Sequence, residues 1–337
     1  MPPSPPDTAG LFALVRQLVD LDSTTGQEAG VAGFTAAYLR QQGLAAVVWP
    51  FEPGRANVFA AYGEPRVVLS THLDTVPPFF ASREDDDFVY GRGACDAKGI
   101  AAAQIFAALE LKRQGLRDFG LLFLAGEEKN SAGARAANQR PVGSRFLING
   151  EPTSGRMVAA GKGALRVELT AQGRAAHSAY PELGDSAIVK LLAALARLQA
   201  LPLPADARLG ATTCNIGTLS GGRAPNVVPD FAQAELLYRL VAPADALRAA
   251  IAAAAQPDAQ AEFVLEIPPV LLRTLPGFET TTAAFTTDIP ALTQWGEPML
   301  MGPGDIAVAH TPEERIAKAD LVAAVAAYAA MVRSLLA

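Results

Sequence analysis

The chain has 337 residues, half of them hydrophobic and 18% charged, with 28 Lys and Arg against 34 Asp and Glu for a formal net charge of −6. This composition excludes a disordered chain. Mild acidity without any basic cluster excludes a nucleic-acid protein.

Above roughly 250–300 residues a single core tends to split, so two domains are expected. Two cysteines, Cys95 and Cys214, are too few for a disulfide framework and fit a reducing, cytoplasmic setting. The lead-in Met1-Pro2-Pro3-Ser4-Pro5-Pro6 has neither the basic nor the apolar region of a secretory signal and is expected to be extended.

Helical periodicity follows at Leu11–Leu21 and Val31–Gln42, the second closed by Gly43. Short strands are expected at Ala45–Trp49, Asn57–Tyr62 and Val67–Ser70, then a long helix from about Gly99 to Arg113. Leu121–Ala125 is continuously apolar, as in a strand buried on both faces. The alternation argues for a mixed α/β domain whose sheet is largely parallel and flanked by helices.

The middle of the chain changes rhythm. Strand Leu165–Ala171, helix Asp185–Leu198, strands Thr212–Leu219 and Phe231–Leu240, helix Pro243–Ala255 and strand Glu262–Ile267 give the order βαββαβ of a ferredoxin-like unit. A discontinuous first domain, 1–162 with 268–337, is therefore expected to carry an insertion at 163–267. The apolar stretch Leu321–Val332 is shorter than the roughly 18–20 residues that span a bilayer, so a packed terminal helix and no membrane association are expected.

Five loops carry acids or histidines. His72 and Asp74, in Ser70-Thr71-His72-Leu73-Asp74-Thr75, suit a metal ligand and the carboxylate that orients it. Asp96 stands between glycines just before the long helix, where a helix cap and a carboxylate aimed into a cleft are equally open readings. Glu127 and Glu128 directly follow the buried strand, a place where α/β sheets build sites. Adjacent carboxylates there repel unless a cation compensates, although a solvated charged loop is also common. Glu151 follows the apolar run Phe146-Leu147-Ile148, and His310 lies beyond Gly302-Pro303-Gly304-Asp305. Carboxylates and imidazoles in one set suit zinc.

In order and wording, Thr-His-Leu-Asp-Thr-Val-Pro, Gly-Arg-Gly-Ala-Cys-Asp-Ala-Lys-Gly, Gly-Glu-Glu, Gly-Glu-Pro-Thr and Gly-Pro-Gly-Asp with Ala-His-Thr-Pro-Glu-Glu resemble a known family. It is the di-zinc amidohydrolase and peptidase family of acetylornithine deacetylase, succinyl-diaminopimelate desuccinylase and carboxypeptidase G. The resemblance covers essentially the whole chain, inserted domain included.

It implies two zinc ions, with cobalt or manganese as substitutes. His72 and Glu151 would hold one ion and Glu128 and His310 the other, with Asp96 as the bridge. Glu127 would be the general base and Asp74 the partner of His72. It further implies that His177, in the insertion, stabilises the oxyanion in a neighbouring subunit, hence a homodimer through that domain.

Asn226 and Arg239 are candidate contacts for a substrate carboxylate, although Arg239 reads nearly as well as a solvated strand charge. The expected reaction is hydrolysis of the amide bond of an N-acyl amino acid, acetylornithine deacetylase-like. Carboxypeptidase, dipeptidase or desuccinylase action on related substrates are the alternatives. A homologue that binds metal without turnover is more distant, because Glu127 contributes only to chemistry. Cys95 has no paired histidine in its motif and reads as a buried thiol. Gly184-Asp185-Ser186-Ala187-Ile188 lacks the second glycine of a nucleophile elbow.

Overall fold

A computed structural model describes residues 7–337. The lead-in expected at 1–6 lies outside them. The chain divides into two compact units. One runs to Ala159 and resumes at Leu272–Thr281 and Thr287–Ala337; the other is Ala160–Leu271 with Thr282–Thr286.

The first unit is built on a six-stranded sheet. In spatial order its strands are Ala45–Glu52, Arg55–Tyr62, Phe119–Leu124, Val67–His72, Phe146–Asn149 and Glu297–Leu300. The first two form an antiparallel hairpin, which pairs antiparallel to the third. The remaining pairings are all parallel.

Every residue of Val67–His72 and of Phe119–Leu124 is buried. Alternate side chains serve opposite faces. Val67, Leu69, Leu121 and Phe123 join the core under the helices Thr8–Val19, Lys98–Arg113 and Lys318–Leu336. Val68, Leu122 and Leu124 join Trp295 and the short helix Ala132–Asn138 on the other face. Burial on both faces is why these strands read as unbroken apolar runs.

The terminal helix corrects the sequence reading. It spans Lys318–Leu336, 19 residues, long and apolar enough to cross a membrane by length and composition alone. Its Leu321, Tyr328, Val332 and neighbouring residues are buried in the core, and the Tyr328 hydroxyl donates to the Met301 carbonyl at 2.7 Å.

The second unit has a four-stranded antiparallel sheet in the order Thr213–Gly221, Phe231–Leu240, Gly163–Gln172, Gln260–Ile267. Helices Ala187–Gln199 and Asp245–Ala255 cover one face through Leu191, Leu195, Leu247 and Ile251. The sequence order is βαββαβ, with a two-residue hairpin, Ala205–Asp206 with Gly210–Ala211, added after the first helix. Ser186 caps that helix by accepting the Val189 N–H.

Candidate metal centre

Four parallel strands of the first unit end at one edge, where open α/β sheets place their sites. His72 is the last residue of Val67–His72, and Asp74 lies in the loop after it. Glu127 and Glu128 follow Phe119–Leu124, Glu151 follows Phe146–Asn149, and the loop after Glu297–Leu300 leads to His310. Asp96 comes from the turn before helix Lys98–Arg113.

Two clusters result. His72, Asp96 and Glu151 bring one ligand atom each within 4.8 Å of one another, and so do Asp96, Glu128 and His310. Asp96 belongs to both: its Oδ1 is 3.0 Å from His72 Nε2, and its Oδ2 is 3.3 Å from His310 Nε2. His310 Nε2 also meets Glu128 Oε1 at 3.0 Å, while His72 Nε2 lies 3.8 Å from Glu151 Oε2. The first cluster is buried, and His310 is exposed on its loop. His310 has a left-handed backbone at φ 62°, a conformation that histidine adopts more readily than most residues.

Crowding of charge shifts these groups. Burial opposes ionisation of Asp96, but His310 and His72 hold its carboxyl well below the usual range. Asp96 and Glu128 raise His310 to about 10. Burial works against the His72 imidazolium, yet Asp74 and Asp96 carry it well above its ordinary value. Burial and the neighbouring Glu151 push Glu127 well up. Burial, with Asp96 nearby, does the same to Glu151.

The donor set fits two divalent cations of borderline hardness. An orphaned atom supports the fit: Glu151 Oε1 is buried with no hydrogen-bond partner among the described residues. Cations here would reverse the pKa pattern and ionise the carboxylates.

Asp74 contacts more than His72. The strand stops at His72, and His72 Nδ1 faces the Asp74 backbone carbonyl at 3.0 Å, with the carboxylate at 3.5 Å. The carboxylate also accepts the Thr25 hydroxyl at 2.8 Å and the backbone N–H groups of Glu127 and Glu128 at 3.1 and 3.2 Å. Burial opposes ionisation of Asp74, but His72 first, and then the Thr25 hydroxyl and the Glu127 N–H, lower its pKa. Asp74 thus fixes the Glu127–Glu128 turn as well as the imidazole. Cys95 is buried, and burial and Asp96 push its thiol well up, which makes it a poor nucleophile.

Two glycines let backbone close in. A Cβ on Gly302 would stand 2.4 Å from the Glu151 carbonyl oxygen. Gly126 takes φ +84° beside the Arg55 guanidinium.

Among the described residues, Asp288 is buried with both carboxylate oxygens unpartnered, and burial raises its carboxyl to about 7. It influences Glu127 and Glu151 electrostatically. Sequence reasoning missed it: Thr286-Thr287-Asp288-Ile289-Pro290 looks like turn chemistry.

The second unit holds the other candidates. The pairing of Gly163–Gln172 with Phe231–Leu240 continues beyond the sheet as a ribbon. There His177 bridges Val227, and Ser178 N–H donates to the Asn226 carbonyl. His177 and Asn226 are both exposed at this tip. Arg239 pairs with Ala164 at the far end of the same strands. Eight residues of strand separate it from Phe231, about 26 Å at roughly 3.3 Å per residue. One copy of this unit therefore does not bring Arg239 together with His177 and Asn226.

Residues 68–334 match the sequence description "Peptidase family M20/M25/M40". The chain belongs to this family. It is accordingly a metal-dependent hydrolase acting on C–N bonds. A probable carboxypeptidase of Aspergillus clavatus is 40% identical over 97% of this chain and 82% of its own length. A solved tripeptidase from Staphylococcus aureus superposes with a TM-score of 0.82 at 21% identity, covering 98% and 99% of the two chains. A dinuclear metal-binding M20 peptidase of Bacillus subtilis gives 0.68 at 18% identity, covering 96% and 98%. The two structural likenesses establish the fold that this peptidase-family chain shares with them.

Proposed function

We propose that this protein is a cytoplasmic two-zinc peptidase that removes a residue from short peptides bearing a free C-terminal carboxylate. The observation that carries the reading is the pair of ligand clusters sharing Asp96, beside a half-buried second glutamate, Glu127, that belongs to neither cluster. His72, Asp96 and Glu151 would hold one ion, and Asp96, Glu128 and His310 the other. When bound, such ions supply Lewis-acid activation of water and of the scissile carbonyl. Glu127 takes the proton of the attacking water and returns it to the leaving amine. Asp74 keeps Glu127 in place by accepting its backbone N–H.

The carboxypeptidase name of the 40%-identical relative favours peptide substrates over acetylornithine, the first expectation from the sequence. We assign His177 and Asn226 to the site of a second copy, in a homodimer formed through the inserted unit. Its exposed edge strand Thr213–Gly221 and exposed Val189 and Leu192 support that surface.

The test is a release assay of zinc-loaded protein against dipeptides, tripeptides, their C-terminal amides and N-acetylornithine. Free C-terminal amino acid from peptides, abolished by amidation, is the expected result. Turnover of N-acetylornithine with inert peptides would instead establish the deacetylase reading. Unchanged kinetics of His177→Ala would remove His177 from the site.

A further inference from the structure

Glu314 is buried, and its carboxylate collects donors from one loop. Oε1 accepts the backbone N–H groups of Gly93, Cys95 and Asp96 at 2.9, 3.2 and 3.1 Å. Oε2 accepts from Arg92 Nη1 at 2.6 Å. The Glu314 backbone carbonyl accepts the Gly91 N–H at 3.1 Å. Arg92 is itself held, donating to the Pro78 carbonyl and lying over the Phe80 ring.

Gly91 and Gly93 take φ of 140° and 87°, and the N–H groups of Gly93, Cys95 and Asp96 converge on one point. Such a concave nest ordinarily receives an anionic ligand. Here a side chain of the protein fills it. That side chain stands four residues after His310, on the segment that carries the outer ligand of the second cluster.

The geometry points to a positioning role: we infer that Glu314 fixes the Asp96 carboxylate in its bridging orientation and ties the His310 segment to the bridge. This rests on the two-metal reading above. Asp96 spans the two clusters only while its Oδ1 faces His72 and its Oδ2 faces His310. The Asp96 N–H bond to Glu314 sets the backbone from which that carboxylate projects. A full negative charge suits the post, since three N–H donors and a guanidinium converge on it. Glutamine keeps one acceptor but turns an N–H₂ group towards Arg92. Aspartate keeps the charge but withdraws the oxygens from the loop.

The experiment compares wild type, Glu314→Gln and Glu314→Asp, each first stripped of metal and then titrated with Mn²⁺. Metal-free circular dichroism and thermal unfolding report the fold. Calorimetry reports the two affinities, and electron paramagnetic resonance reports whether two Mn²⁺ ions are spin-coupled. The expected result is a folded metal-free variant that binds one Mn²⁺ near wild-type strength. The second should bind about 10–100-fold more weakly, the usual cost of losing a residue that orients a ligand. The coupled spectrum should give way to that of isolated Mn²⁺.

A lowered unfolding temperature with both affinities and the coupled spectrum unchanged would overturn the inference and leave Glu314 a structural residue. Should Glu314→Gln fail to fold, Glu314→Asp decides by the same readouts. Wild type that binds fewer than two Mn²⁺ would bring down the two-metal reading first, and this inference with it.

Discussion

Metal binding should expel protons from histidines that are charged in the metal-free protein. His310 is raised to about 10 by Asp96 and Glu128, and His72 stands well above 6.5 because of Asp74 and Asp96 despite its burial. Solvent screens the exposed ring of His310 in part. Even so, any pKa above about 8.5 leaves roughly nine-tenths of a histidine protonated at pH 7.5. A ligating imidazole must be neutral. Loading both clusters at pH 7.5 should therefore release about one proton from His310, and from His72 more than an unperturbed imidazole gives, with any from Glu127 and Glu151 in addition.

Two unperturbed histidines would release only about 0.2 together. Calorimetric Zn²⁺ titrations in buffers of different ionisation enthalpy count these protons directly. Across pH 6.5–8 the logarithm of the apparent affinity should climb by about one per pH unit for each histidine displaced. His310→Asn should lower the count by about one. A release near 0.2 with a flat affinity would refute the ion-paired histidines and the reasoning from carboxylate crowding.

Glu127→Gln should cost about 10²–10⁴ in kcat while metal analysis still finds the wild-type content; wild-type kcat would dismiss the base. Asp288→Asn should stabilise the metal-free protein more at pH 8 than at pH 5. A buried carboxyl raised to about 7 binds a proton that the unfolded chain has lost. The contribution of Asp288 to stability is thus most favourable below the unfolded value near 4 and falls as pH rises through about 7, by about 4 kcal/mol at 1.36 kcal/mol per unit. Urea melts at the two pH values measure this, and an equal effect at both would contradict it. Gly302→Ala should destabilise by about 1–3 kcal/mol, because the added methyl meets the Glu151 backbone and no flexible side chain can yield. Chemical unfolding together with Zn²⁺ affinity checks it, and an unaltered affinity would disconnect that loop from Glu151.

The legible parts of the sequence were those with local physical causes. Val67–His72 and Phe119–Leu124 announced themselves as apolar runs because both of their faces are buried. Gly43 marked the end of a helix because the chain there turns through φ +72°. The site loops stood out as a set, because five segments bearing acids or histidines recur in one α/β domain, several of them after apolar strands.

What escaped detection depends on distant partners or on length. The donors to Glu314 lie some two hundred residues earlier, and nothing in Thr311-Pro312-Glu313-Glu314 hints at them. The strands Arg83–Glu84, Phe88–Tyr90 and Arg315–Ala317 are too short to show a period. The terminal helix extends past the apolar run that marks it in the sequence, because Lys318 and Arg333 near its ends are charged. Spacing shows the His72 contact of Asp74 but not its bonds with Thr25 and Glu127, which join distant parts of the chain.

The separation of Arg239 from the ribbon tip that bears His177 and Asn226 has a genetic counterpart. In the proposed homodimer, a small substrate gripped by all three would be shared by two polypeptides, so the two halves of one reaction could be inactivated in different copies. Mixing His177→Ala with Glu127→Gln protein, each inert alone, and allowing subunits to exchange would create hybrids with one intact composite centre. At equal amounts about half the pairs are hybrid, so recovery approaches about a quarter of wild-type turnover. Such intersubunit complementation would vanish if every centre were self-sufficient.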